Sequence, residues 1–296
     1  MFTKRQIVAI SLLGFFLSPG AVSAAKQKSA GAKPTQLLDD DMRTRIESEH
    51  PKWSLDQVNA AIKANPKDAG LLVDRATIYY LDGDIEPCIA SCNLALSINP
   101  QCARAYVVRG RLYAGIHQWD KAFHDYNVAS KVGDPIVATD ALSRSAYLHR
   151  ESKQYELARA QYDQVLKSAV LSPALRAFLT FQRGEVYHRM GKVKEAFADY
   201  SAAIKIDPEP ANYYLFRGRI YRDQGDLKNA LADFTTAVNH DLKARSVTAG
   251  KYLGECYLER ARLYDALGKP DLAKKDRLYS AKESQEMFDA IPFRAH

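Results

Sequence analysis

Four cysteines and seven histidines are the side chains that could ligate a metal or act as nucleophile and base. The histidines, at His50, His117, His124, His149, His188, His240 and His296, are scattered and show no His-Glu-x-x-His or other ligand spacing. There is no Cys-x-x-Cys, so zinc and redox chemistry have no support. Cys88 and Cys92 stand one helical turn apart, as buried thiols behaving as small hydrophobes would. A disulfide between Cys92 and Cys102 across a helix-loop-helix corner is the alternative. Ser23 and Lys26 formally read Ser-x-x-Lys, but they straddle an expected cleavage site. No Gly-rich phosphate loop, nucleophile elbow or paired-carboxylate arrangement stands out. The sequence implies no cofactor and no metal, and an enzyme is not expected.

The cations are more informative. Arginine recurs in a fixed setting: Arg75-Ala76-Thr77-Ile78-Tyr79, Arg109-Gly110-Arg111-Leu112-Tyr113, Arg183-Gly184-Glu185-Val186-Tyr187, Arg217-Gly218-Arg219-Ile220-Tyr221 and Arg260-Ala261-Arg262-Leu263-Tyr264. A degenerate copy reads Arg144-Ser145-Ala146-Tyr147-Leu148. Arg75 to Arg109 and Arg183 to Arg217 are each 34 residues apart. Because they share positions with core residues in every copy, these arginines read as structural, with packed stems and locally paired heads.

Elements must position this string, and the residues around it say which. Gly83, Gly191, Gly225 and Gly268 follow it where a left-handed residue can stop a helix. A second stretch then pairs a small residue with an aromatic four places on: Ala122 with Tyr126, Ala158 with Tyr162, Ala196 with Tyr200, Ala230 with Phe234. Ala129, Ala203 and Ala237 follow, and Pro100 and Pro208 close two of the helices. Small residues let two helices approach, and the ring fills the groove between pairs.

This pattern resembles the tetratricopeptide repeat family, whose unit is a 34-residue helix-turn-helix. The resemblance covers about residues 69–286, preceded by a half-copy from Trp53 to Pro66. It implies an all-α fold, a right-handed α-solenoid of tandem helix-turn-helix repeats. Departures exist: Cys88 and Cys92 take the small and aromatic positions of the first full unit, and Arg277 replaces the aromatic of the last. The third unit lacks the turn glycine, and the spacers before Arg183 and Arg260 are lengthened.

Length and composition fit one repeating body. With 296 residues, 47% apolar and 26% charged, the chain can bury a sizeable core, which excludes a disordered tail or a small disulfide scaffold. Lys4 and Arg5, the apolar run Ile7 to Leu17, Pro19-Gly20 and the small residues of Val22-Ser23-Ala24 read as a signal peptide cleaved after Ala24. The run is short for a permanent anchor, which needs about 20 apolar residues. Removing Lys4 and Arg5 takes the net charge from +7 to +5, too diluted to announce nucleic acid. The expected organisation is residues 1–24 as signal, 25–35 as leader, 36–66 as N-terminal helix and half-repeat, and 69–290 as about six units with a capping helix. Leu37, Leu38, Met42 and Ile46 give residues 36–49 helical spacing. The product is expected to be exported, periplasmic or extracellular, with no permanent membrane span.

In the family the first helix of each pair lines the inside of the superhelix. Its exposed positions there fall on Arg104, Arg111, Arg150, Arg189, Arg219, Arg222 and Arg262, with Glu185 and Asp265 between them and Tyr80, Tyr147 and His188 on the same face. Arginine holds carboxylates in a bidentate way and stacks on planar groups. The expected partner is therefore a protein or peptide with acidic groups or a free C-terminus, held through Arg104, Arg111, Tyr147, Arg189, Arg219, Arg222 and Arg262. The family's Lys and Asn carboxylate clamp is absent from this face. An accessory role to an envelope enzyme is the second function class, and RNA binding conflicts with export.

Overall fold

The computed structural model describes residues 54–244 and 250–290. The expected signal peptide, leader and helix at 36–49 lie outside the described residues, as do Trp53 and part of the spacer before Arg260. Among the described residues the chain is all-helical, with thirteen helices and no strand. They are α1 (Leu55–Ala64), α2 (Ala69–Asp82), α3 (Ile85–Ile98), α4 (Ala103–Gly115), α5 (Trp119–Val132), α6 (Pro135–Glu151) and α7 (Tyr155–Val165). Then come α8 (Pro173–Arg189), α9 (Val193–Ile206), α10 (Ala211–Asp223), α11 (Leu227–Ala244), α12 (Gly250–Ala266) and α13 (Pro270–Ala290). They fall into two compact units, divided between Gln161 and Tyr162.

Helix starts are written in side chains. Ser54 and Gln57 form a reciprocal capping box at α1. Asp68 accepts the free N–H groups of α2, and Asp134 and Ser172 do the same for α6 and α8, each followed by proline at the first helical position. The turn inside every pair is one device used six times. A residue with positive φ ends the first helix, and the next N–H donates to a carbonyl five residues back: Asp84 to Tyr79, Gln118 to Tyr113, Gln154 to His149, Lys192 to Tyr187, Asp226 to Tyr221 and Lys269 to Tyr264. Glycine supplies the positive φ four times, while His117 (φ 60°) and Lys153 (φ 62°) adopt it without that freedom.

Those turns correct the register of the third pair. His149, not Tyr147, takes the place of the turn tyrosine, so Ser145 and Ala146 take the places of the repeat arginine and glycine. Arg144 lies one residue earlier, and Tyr147 and Arg150 fall in line with Arg219 and Arg222. The string beginning at Arg144 is a one-residue slip of the true repeat.

Within each pair the core follows from size matching. A Cβ on Gly110, Gly184 or Gly218 would stand 2.7–2.8 Å from the ring of Tyr126, Tyr200 or Phe234, so only glycine admits the aromatic there. Where the opposite residue is Cys92, the first helix carries Ala76 instead, and both are fully buried in one cluster.

The repeat arginine ties the same two helices together. Arg109 forks onto Asp125 at 2.8 Å through both nitrogens, and Arg183, Arg217 and Arg260 grip Asp199, Asp233 and Asp276 likewise at 2.7–2.9 Å. Arg75 meets Ser91 instead, at 3.0 Å. The partner always lies 16 residues on, directly before the aromatic position. These heads are paired inside the fold, as the sequence indicates, and are not a ligand row.

Candidate functional site

With the repeat arginines accounted for, the remaining charged side chains of the first helices form the candidate surface, one face in each unit. The first unit contributes α2, α4 and α6. Arg104 of α4 bonds Asp74 of α2 at 2.9 Å. Arg111, expected at an exposed position, is 1% exposed, with its guanidinium 4.4 Å from the centre of the Tyr80 ring. It stands in α4 between two neighbouring first helices, and the Tyr80 ring closes over it. Burial first, and Arg144 second, pull its pKa down to about 9. Arg144 is itself buried and bonds Asp140 at 3.0 Å. Tyr147 is half-buried and carries the Arg150 guanidinium 4.7 Å above its ring, while Arg150 also pairs with Glu151 at 3.0 Å.

In the second unit, α10 and α12 supply an ion-pair network centred on Glu259, a carboxylate 5% exposed. Arg219 donates to Glu259 at 3.0 Å and to Glu255 at 2.8 Å, and its guanidinium packs over Phe216. Arg222 donates to Glu259 and to Asp223, and Arg262 approaches Glu259 at 3.2 Å from one turn away. Burial opposes the charge on Arg219 and Arg222, but the acids around them outweigh it, and both pKa values are raised. Arg189, at the end of α8, is exposed and makes no ion pair or hydrogen bond with another described residue.

The expected set is thus divided. Arg219, Arg222 and Arg262 are brought together, Arg104 and Arg111 share a face with Tyr147, and Arg189 stands alone. The face is not a bare basic strip, because Asp74, Asp140, Glu255 and Glu259 thread it with carboxylates. Glu259 and Asp140 escape sequence reasoning. One signal existed for the former: Glu259 precedes its repeat arginine directly, as Asp74 precedes Arg75.

The thiols do not add chemistry. All four cysteines are free, so the alternative of a Cys92–Cys102 disulfide is not what the structure contains. Cys92 contacts Cys88, and that contact, with burial, raises its pKa and keeps it a neutral core thiol. Among the described residues no group of three or more His, Cys, Asp or Glu side chains is placed to hold a metal. No described helix is long and apolar enough to cross a membrane.

Comparison with known proteins places these helix pairs. The tetratricopeptide repeat family profile matches residues 143–211 and 181–247. A curated relative, a TPR repeat-containing thioredoxin from Arabidopsis thaliana, is 29% identical over 110 residues, which is 33% of this chain and 29% of that protein. The match therefore spans under a third of the relative. Among solved structures, pilF of Pseudomonas aeruginosa superposes with a TM-score of 0.60 at 18% identity, covering 76% of this chain and 99% of that one. The C-terminal part of a TPR repeat-containing protein from Cytophaga hutchinsonii gives 0.60 at 15% identity, over 86% of this chain and 97% of the other. YrrB, described as a TPR protein with an unusual peptide-binding site, gives 0.50 at 20% identity, over 63% and 93%. Residues 143–247 thus match the tetratricopeptide repeat profile, and the helix pairs of the described chain share the fold of the solved tetratricopeptide repeat structures.

Proposed function

We propose that this protein is an exported scaffold that holds a protein or peptide partner on the first-helix faces of its repeats. The observation carrying this reading is that exposed arginines remain on the second unit's face beside those that the fold buries or pairs across its helices. Arg189 and Arg262 are the exposed cations of the second unit's face, the latter with 64% of its side chain accessible. YrrB, a structural neighbour, is described as having a peptide-binding site, which supports looking for a peptide here.

The partner chemistry proposed is a carboxylate, from an acidic side chain or a C-terminus. Arg189 offers an unobstructed fork and Arg262 a largely exposed one that also approaches Glu259, while the Arg219 and Arg222 guanidiniums can divide their bonds between their present acids and an incoming one. Each exposed contact alone contributes within about 0–1 kcal/mol, so several must act together. The test is capture of a crosslinked partner from cells by the full chain and by an Arg189→Ala, Arg262→Ala variant. The variant should lose most of the partner at moderate salt and retain its thermal stability. Undiminished capture would place the contact elsewhere. Export is tested separately by N-terminal sequencing of the mature product, expected to begin near Ala25; a retained Met1 would refute it.

A further inference from the structure

Arg219 and Arg222 stand three residues apart on α10 and so share one of its faces. Each guanidinium is divided between two acids of unlike exposure. Arg219 Nε donates to Oε1 of Glu259 at 3.0 Å, and Arg222 Nη1 donates to Oε2 of the same carboxylate, whose side chain is 5% exposed. Both oxygens of Glu259 are thereby engaged, and Arg262 adds a contact to Oε1 at 3.2 Å. The remaining arms go to acids that water reaches. Arg219 Nη2 donates to Glu255 at 2.8 Å, and Arg222 donates through Nε and Nη2 to one oxygen of Asp223 at 2.9 and 2.7 Å. The side chains of Glu255 and Asp223 are 50% and 60% exposed.

The two kinds of contact differ in what they hold. Glu259 has given up its water to the arginines, so parting them strands a buried charge, and it fixes both guanidiniums whatever else is bound. Packing over Phe216 holds Arg219 further in place. Glu255 and Asp223 keep half or more of their side chains in water, where an ion pair is weak and readily exchanged. The charges also close. Three arginines face three carboxylates, so a further carboxylate meets a neutral cluster unless one of the exposed acids steps aside. Glu255 lies on α12 and Asp223 at the end of α10, and displacing both frees two separate donor positions. A lone C-terminal carboxylate fills one of them, whereas a peptide with consecutive acidic side chains fills both.

We propose that Glu255 and Asp223 are built-in competitors, occupying on Arg219 and Arg222 the positions that the side-chain carboxylates of an acidic peptide take. They thereby set the affinity of the second unit's face for such a peptide. Glu259 is not displaced; it is the fixed counter-ion that keeps the two guanidiniums in place for the exchange. The inference rests on the carboxylate reading above and adds which acids a partner replaces and why that partner carries a run of them.

The test is fluorescence anisotropy on the purified full chain with a labelled hexaglutamate peptide amidated at its C-terminus. An Asp223→Asn, Glu255→Gln variant should bind this peptide severalfold more tightly than the parent at low salt and lose the gain at high salt, while melting at the parent's temperature. A Glu195→Gln, Asp271→Asn variant changes the net charge equally at exposed second-helix positions and should bind as the parent does. Equal binding by the parent and the Asp223→Asn, Glu255→Gln variant would overturn the proposal, as would an equal gain in the charge control. A labelled Gly-Ser peptide of the same length with a free C-terminus should bind that variant more weakly than hexaglutamate does; tighter binding would give the donors to a C-terminus and overturn the acidic run. Hexaglutamate bound by no form of the chain would remove the carboxylate reading together with this one. Capture from cells that depends on Arg189 and Arg262 keeps the former when only the latter fails.

Discussion

Asp125, Asp199, Asp233 and Asp276 are no more than 9% exposed, and each accepts both arms of an arginine 16 residues earlier. Such a pair adds little net energy while whole, but removing one partner strands a charge. Asp233→Ala should therefore cost about 3–5 kcal/mol in denaturant unfolding, and an unchanged midpoint would show that Arg217 finds water instead. The same logic revises an expectation about the face. From sequence alone, replacing Arg219, Arg222 and Arg262 by alanine leaves the free protein's stability unaltered. The structure hangs all three on Glu259, so the triple variant should lose about 3 kcal/mol or more, and adding Glu259→Met should recover much of it. Asp partners of the repeat arginines were legible, since Asp stands before the aromatic in Asp125-Tyr126, Asp199-Tyr200 and Asp233-Phe234. Glu259 was not, because its contact to Arg219 joins residues 40 apart through a spacer whose length the repeat does not set.

His149 adds a pH dependence. It stacks on Phe123 at 4.2 Å, and burial lowers its pKa although the Gln154 contact opposes this. A base lowered on folding binds fewer protons than the unfolded chain, so stability is full above the unfolded pKa of about 6.5 and declines as pH falls toward the folded value. His149→Tyr restores the residue found at this turn in the other pairs. It should flatten that decline in thermal melts below about pH 6.5 while changing little at pH 8; a parallel shift at both pH values would contradict the assignment.

At the scale of elements, the close approach within each pair rests on glycine facing a ring. Gly184→Ala places a methyl 2.8 Å from Tyr200 and should cost roughly 1–3 kcal/mol. Tyr200→Cys alone should also destabilise, by opening a cavity. Combined, the two recreate the pairing of Ala76 with Cys92, so the double variant should be more stable than the sum of single losses allows. Strict additivity in thermal unfolding would mean that the two side chains do not meet. The helix pairs were readable because size, turn and capping signals coincide within each copy. The third pair was misread by one residue because Arg144 and Tyr147 imitate the repeat string, while the real turn is built on His149 and on Lys153 in a left-handed conformation that its side chain does not advertise.

At the scale of the whole molecule, the helix pairs inside each compact unit pack on their sequence neighbours, so stability is shared locally within the unit. In the last described pair Arg277 stands where the other pairs carry a ring, and it turns to Asp265. Partners are proposed to bind the first-helix faces, not the second helices. Photo-crosslinking residues placed singly at Arg189 and Arg262, and at the exposed second-helix positions Leu157, Val193 and Leu278, test it most directly. In cells, Arg189 and Arg262 should yield the same adduct and the second-helix positions none. A strong adduct from the second helices, with none from Arg189 or Arg262, would place the partner on the opposite side of the helix pairs and contradict binding at the first-helix faces.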